Sequence, residues 1–211
     1  MIDQLRGFDS MLTQKAVRYA DAYEGSRAQE YMESRGVVGL SVRDTFLLGY
    51  VPIEGEDARF AGMLSIPYIT VAGGVVAIKY RNLRPDADPR YTQPAGQETH
   101  LYNVIDLTKP SRSICVCEGE IDALTLSMIG QPAVGVPGVN NFKDHYFRLF
   151  DGYDDIVIVA DPDDAGDGLA RLLTRRLMGS RTVTLPKGSD VNSFYMEHGP
   201  EALLKLLGVS R

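Results

Sequence analysis

Downstream of residue 112 the chain alternates short apolar runs with segments of helical periodicity. Ile114-Cys115-Val116-Cys117, bounded by polar residues, and Ile156 to Ala160 predict buried strands, and Ala133-Val134-Gly135-Val136 and Thr182 to Leu185 predict two further strands. Between Cys117 and Ala133, Ile121, Leu124, Thr125 and Met128 recur at helical spacing, predicting a helix over 120–129 closed by Gly130. Phe142, Tyr146, Phe147 and Phe150 form the apolar stripe of another predicted helix, read as core rather than as a ligand site. Further helices are predicted over 165–178, 192–197 and 200–207. Strands and helices in this alternation imply a parallel sheet with right-handed crossovers, flanked by helices.

The first half has a different rhythm. Thr13 is placed to cap a helix through Ala22, and Ser26 to cap one over 27–35 that Gly36 stops. Ser41 with Asp44 is a weak capping-box pattern, and 46–51 reads as a strand ended by Pro52. Segments 63–69 and 74–81 read as strands around Gly73-Gly74, a hairpin signal. In the second of these, Lys79 and Arg81 fall on one face, Ile78 and Tyr80 on the other. Residues before about 13 carry little signal. Pro110-Ser111 marks the boundary, so the expected organisation is a smaller α+β subdomain over 1–111 and an α/β domain over 112–211.

Composition changes this picture little. The 211 residues are 44% hydrophobic and 24% charged, the balance of a globular protein. No run of 18 apolar residues and no signal-peptide pattern occurs, which leads to an expected cytoplasmic location and no membrane partner. Cys115 and Cys117 lie two apart on one strand, poorly placed to bridge each other, and three dispersed histidines assemble no zinc finger. A formal charge of −6 excludes a wholly basic nucleic-acid binder but not a local basic face.

Where that negative charge lies is more informative. The strand ending at Cys117 runs into Glu118-Gly119-Glu120, with Asp122 one helical turn above Glu118. The strand ending at Ala160 runs into Asp161-Pro162-Asp163-Asp164-Ala165-Gly166. A third turn, Lys187-Gly188-Ser189-Asp190-Val191-Asn192, follows the last strand. Acids in a first helical turn are favoured by the helix dipole alone, by about 0.3–1 kcal/mol each. Three acidic turns, each following a parallel strand, are a stronger coincidence, because open α/β sheets place their chemistry at that end. Glu118, Asp161 and Asp163, with Asp122 and Asp190 near, suit one or two magnesium ions acting on phosphate-bearing substrates. Gly119 and Gly166, and with them Gly168, would permit close backbone approach. No GxxxxGK[ST] motif is present.

Lys79, Arg81, Arg84 and Arg90, interleaved with Tyr91 and Tyr102, form a basic, tyrosine-bearing segment. It reads either as a solvated hairpin face or as a surface for phosphates and stacked bases.

CEGEIDALTL, VADPDDAG and KGSDVN resemble the three acidic motifs of the TOPRIM fold. GMLSIPY, VAIKYRNL and RYTQPAGQETHLYNV resemble the preceding subdomain of the catalytic core of bacterial-type and phage replicative DNA primases. The resemblance covers about residues 29–207. It implies a TOPRIM-type sheet and metal-dependent synthesis of short RNA primers on single-stranded DNA from ribonucleoside triphosphates. Glu118, Asp161 and Asp163 are then the catalytic and metal residues, Asp122 and Asp190 complete the metal set, and the ion is Mg2+ or Mn2+, with no zinc. Lys79, Arg81, Arg90 and, at the end of the upstream run, Asn103 would bind nucleic acid or nucleotide. With too few Cys and His for the zinc-binding domain such primases carry, a separate zinc-bearing initiation factor or the replicative helicase is the expected partner. A TOPRIM nuclease and a non-catalytic nucleic-acid-binding module are the alternatives.

Overall fold

The segment around Gly73 folds back on itself as its alternation predicts. In the computed structural model, which describes residues 10–55, 57–136, 138 and 141–209, β2 (Leu64–Ile69) pairs antiparallel with β3 (Val75–Arg81). Short strands β1 (Gly49–Tyr50) and β4 (Tyr91–Thr92) complete a sheet of order β1-β2-β3-β4. Helices α1 (Met11–Asp21), α2 (Arg27–Ser34) and α3 (Leu40–Phe46) accompany it. This first unit extends to Glu98, and a second runs from Thr99 onward.

Three local expectations in the first unit are corrected. Ser10 caps α1, because Thr13 is buried and its hydroxyl accepts the Val75 N–H at 3.0 Å. Gly39, not Ser41, opens α3, with no side-chain cap. The strand expected over 46–51 shrinks to two residues, since Phe46 ends α3 and Leu47 turns left-handed at φ 52°. The apolar run there packs as a helix end, a case in which periodicity over a few residues cannot separate strand from helix. Residues 1–9, which hold most of the low-signal start, lie outside the described residues.

β3 carries the alternation into three dimensions. Ile78 and Tyr80 are buried, and Tyr80 stacks on Phe60 with ring centroids 4.0 Å apart. Such pairs add about 0.5–1.5 kcal/mol beyond burial. Lys79 and Arg81 leave on the opposite face, partly exposed.

The second unit is a four-stranded parallel sheet, order β6-β5-β7-β8, formed by β5 (Ser113–Cys117), β6 (Ala133–Gly135), β7 (Asp155–Ala160) and β8 (Ser180–Thr184). Its one-face core joins Ile114, Val116, Ile156 and Ile158 to Leu169 and Leu173 of α5 (Asp164–Thr174) and to Phe142, Tyr146 and Phe150. The aromatic stripe is core, as expected, but its backbone from Asp144 to Phe150 is a 3-10 segment rather than an α-helix. Side chains of β5 on the other face, Cys115 and Cys117, are buried on the side that α4 (Glu120–Met128) and α6 (Val191–Leu207) occupy. Gly199, non-helical at φ 79°, divides α6 into two helical stretches just before Pro200, which is the break expected between the two helices there. Fold class is thus α/β, a helix-flanked parallel sheet with a separate α+β unit before it.

The boundary expected at 111/112 lies inside this second unit. Tyr102 and Gly135 exchange backbone hydrogen bonds of 2.9 and 3.1 Å, and buried Asp106 accepts the Ala133 N–H at 3.0 Å. Residues 99–111 therefore belong with β6. Among the described residues no helix is long and apolar enough to cross a membrane.

Candidate functional site

Glu118 follows directly on β5, and Asp161 directly on β7, the strand paired beside it. Parallel pairing brings both strand ends to one edge, so the two carboxylates become neighbours although 43 residues separate them in sequence (161 − 118). The contact is tight. A methyl group on Gly166, in the first turn of α5, would stand 2.3 Å from the Asp161 carbonyl oxygen and 2.7 Å from Glu118 Oε1. Only a residue without Cβ lets α5 start this close. A Cβ on Gly119 would meet a side-chain end instead, Asp122 Oδ2 at 2.6 Å, and nothing crowds Gly168.

The carboxylates disturb one another. Burial, then the Asp161 charge, raises the Glu118 carboxyl; a hydrogen bond from the Asp161 backbone opposes this, and Asp163 adds to it. Asp161 is raised by burial, then by Asp190 and Asp163. Asp122, 7% exposed, is pushed up to about 7 by burial, then by Asp190, with lesser contributions from Asp161 and Glu120. All five acids singled out in the sequence thus belong to one electrostatic cluster, with Asp161 coupled to the other four.

Closer inspection divides them. Asp163 Oδ1 accepts the Gly166 N–H at 2.9 Å, and Asp190 caps α6 by accepting the Ser193 N–H at 2.6 Å in a reciprocal capping box. Asp122 Oδ1 accepts the Asn192 N–H at 3.0 Å. Glu118 Oε1 is buried with no hydrogen-bond partner among the described residues. An orphaned, buried carboxylate oxygen beside a second raised carboxyl is expensive unless a cation or proton compensates it. These oxygen donors fit a hard divalent cation. Among the described residues, however, no three Asp, Glu, His or Cys side chains form a ready metal-ligand group. Three of the five acids each commit one oxygen to a helix N–H group, as capping alone would have them do.

The basic face lies in the first unit. Arg81 stands opposite Tyr91 in the β3–β4 register, with its guanidinium carbon 4.8 Å from the ring centre, and Lys79 Nζ is also 4.8 Å from that ring. Arg81 is at the same time 4.7 Å from the ring of Tyr31 on α2. Its Nε is buried with no hydrogen-bond partner among the described residues, and the guanidinium rests against both rings. Arg90, adjacent to Tyr91, is exposed, and its carbonyl accepts the Asn82 N–H at 2.9 Å.

Asn103 belongs to the second unit. It is 8% exposed, left-handed at φ 58°, and its amide donates to the Ala133 carbonyl at 2.8 Å. Its amide nitrogen thus serves the sheet edge. Tyr31 and Arg35 were overlooked in the sequence. Their one signal was the spacing of four along a short helix, which reads as an ordinary surface pair. A cavity of about 440 Å³ lined by Arg18, Tyr19, Glu54 and Asp57 lies elsewhere in the first unit and includes none of the expected site residues.

A family model described as Toprim-like matches residues 115–195, the stretch that carries Glu118 and Asp161 at the ends of adjacent parallel strands. The Gene 57 protein of Mycobacterium phage D29 is 40% identical over 150 residues, covering 69% of this chain and 98% of that protein. The DNA primase of Myxococcus xanthus is 25% identical over 87% of this chain but only 38% of its own length. Among solved structures, a DnaG primase catalytic domain bound to single-stranded DNA superposes with a TM-score of 0.78 at 21% identity, over 98% of this chain and 80% of that one. The primase catalytic core of E. coli gives 0.76 at 22% identity, over 92% and 77%. The chain belongs to the Toprim-containing family that includes the phage D29 Gene 57 protein and is a homologue of the core region of DNA primase.

Proposed function

We propose that the chain is a primase catalytic core, a nucleotidyltransferase that joins ribonucleotides on a single-stranded DNA template. The observation that carries this reading is the pairing of Glu118 and Asp161 at the ends of neighbouring parallel strands, with one buried Glu118 oxygen that has no hydrogen-bond partner among the described residues. In the reaction a 3′-hydroxyl attacks the α-phosphorus of the incoming triphosphate, a new P–O bond forms, pyrophosphate leaves and the hydroxyl proton is released. Glu118 and Asp161, with Asp163, would hold Mg2+ or Mn2+, and Asp122 and Asp190 would set the field around it. The bound ion supplies charge neutralisation for the attacking and leaving oxygens. The chain's own part is to keep carboxylates apart from bulk water at fixed strand ends, so that little reorganisation accompanies reaction. Lys79, Arg81 and Arg90 would hold phosphates, with Tyr91 beside them as a stacking surface.

A nuclease would use the same carboxylates, with water in place of the 3′-hydroxyl. The tyrosine-lined basic face favours synthesis, since a polymerase must hold a strand through successive additions. The deciding assay combines labelled ribonucleotides, single-stranded DNA and magnesium or manganese, scored for synthesis and cleavage together. Template-dependent products sensitive to Glu118→Gln support the reading; cleavage without synthesis would replace it with the nuclease. A zinc-bearing initiation factor or replicative helicase is proposed as partner, and should raise dinucleotide formation more than primer extension.

A further inference from the structure

On the first unit, one tyrosine is engaged by two guanidinium groups from different elements. Tyr31 lies on α2, and Arg35 is the residue that caps its C-terminus; the Arg35 Nε donates to the Tyr31 hydroxyl at 3.1 Å and its guanidinium carbon is 5.7 Å from the ring centre. From β3, Arg81 approaches the same ring to 4.7 Å, and Tyr91 flanks Arg81 from β4 at 4.8 Å. Arg81 is therefore held by two rings, and Tyr31 is the group common to both arginines. An arginine on a partly exposed strand ordinarily samples many rotamers, and ordering it costs entropy each time it binds. A planar guanidinium resting on an aromatic ring is attracted to the ring's negative face and loses that freedom beforehand.

We propose that Tyr31 is a positioning residue, which pre-orders Arg35 and Arg81 as two neighbouring donors for phosphate. The inference rests on the reading of this face as a phosphate-binding surface and assigns to it a residue that carries no charge and touches no phosphate. Tyr31 acts through both faces of its chemistry: the ring orders Arg81, and the hydroxyl orders Arg35. The phosphate can come from the template strand or from the incoming nucleotide, and two measurements separate these sources. One is the affinity for a short labelled oligothymidylate by fluorescence anisotropy; the other is the KM for a ribonucleoside triphosphate in primer extension.

In the full chain, Y31L is expected to weaken the affected phosphate ligand about five- to tenfold, from loss of stacking to two cations. Y31F keeps the ring and loses only the bond to Arg35, with an expected loss of about threefold. The discriminating readout is the background. Placed in an R35A/R81A chain, Y31L should add nothing, and in an R35A chain Y31F should add nothing. Native affinity and KM in Y31L, with R35A and R81A both impaired, would overturn the positioning role while leaving the phosphate reading in place. Native binding and KM in R35A and R81A would overturn both together. A Y31L loss that persists undiminished in the R35A/R81A chain would place the tyrosine itself against nucleic acid and also overturn the proposal. Should Y31L fail to fold, as judged by circular dichroism, Y31F in the two backgrounds decides alone.

Discussion

The carboxylates after β5 and β7 and the cations on β3 are fixed by different means, and the difference decides what each tolerates. The acids are set by the main chain: Glu118 and Asp161 ride on adjacent parallel strands, and Gly166 brings a helix start against both. The cations are set by side chains, with Lys79 and Arg81 resting on Tyr31 and Tyr91. A backbone-defined site fails abruptly when geometry shifts, because reacting groups there lose about 10²-fold for a displacement near 1 Å. A side-chain-defined surface fails by degrees, each contact contributing a few-fold.

The largest expected effect is therefore at the strand ends. Glu118→Gln or Asp161→Ala should lower ribonucleotide incorporation by about 10²–10³-fold with circular dichroism unchanged. Native turnover in either variant would remove the carboxylates from the chemistry. Asp122→Asn and Asp190→Asn, which sit in helix bonds, should cost less.

Next in size is Gly166→Ala, which leaves every carboxylate in place. Its methyl would enter space held by Asp161 and Glu118, so incorporation should fall about 10²-fold. An active alanine variant would show that the strand ends relax freely, which would undo the contrast between the two surfaces.

A smaller effect is expected in metal-free stability. Asp122 is raised from 3.8 to about 7 on folding, with Glu118 and Asp161 raised in the same direction. A carboxyl raised on folding contributes stability while it is protonated, below its unfolded value, and loses it as pH climbs through its folded value. In the presence of chelator, the melting temperature should fall between about pH 4 and pH 7, and Asp122→Asn should flatten the fall. Thermal melts across that range are the check; a rise over the same interval would contradict the burial of these acids. Added magnesium should restore part of the loss at neutral pH.

The smallest effects belong to the basic face. Lys79→Ala and Arg81→Ala should each weaken oligothymidylate binding a few-fold and reduce its salt slope by about one counterion. Arg90→Ala, exposed and unstacked on the rings described, should do less. Unchanged slopes in all three would return this face to an ordinary solvated hairpin.

Much of this was legible because it is local. The runs at 114–117 and 156–160, the Gly73-Gly74 turn and the acidic turns after two strands each signal themselves within a few residues, and parallel pairing then joins Glu118 to Asp161 without further information. Other features depend on partners far along the chain. Thr13 reads as a cap, yet the Val75 N–H claims its hydroxyl. Asn103 reads as a polar residue in a binding run, yet the Ala133 carbonyl holds its amide. Tyr31 lies 50 residues before Arg81 (81 − 31), and no spacing rule connects them. The bonds that turn Asp163, Asp122 and Asp190 toward helix N–H groups were likewise hidden, because capping and metal binding ask for the same residue types.

The segment from Tyr102 to Asp106 has a practical bearing. β6 is an outer strand, and its unpaired backbone groups would offer a template for strand addition from another molecule. Tyr102 takes up Gly135, Asn103 the Ala133 carbonyl and Asp106 the Ala133 N–H, which leaves an incoming strand nothing to pair with there. A fragment cut at the Pro110-Ser111 junction would shed this cover and should self-associate, whereas one beginning at Thr99 should stay monodisperse.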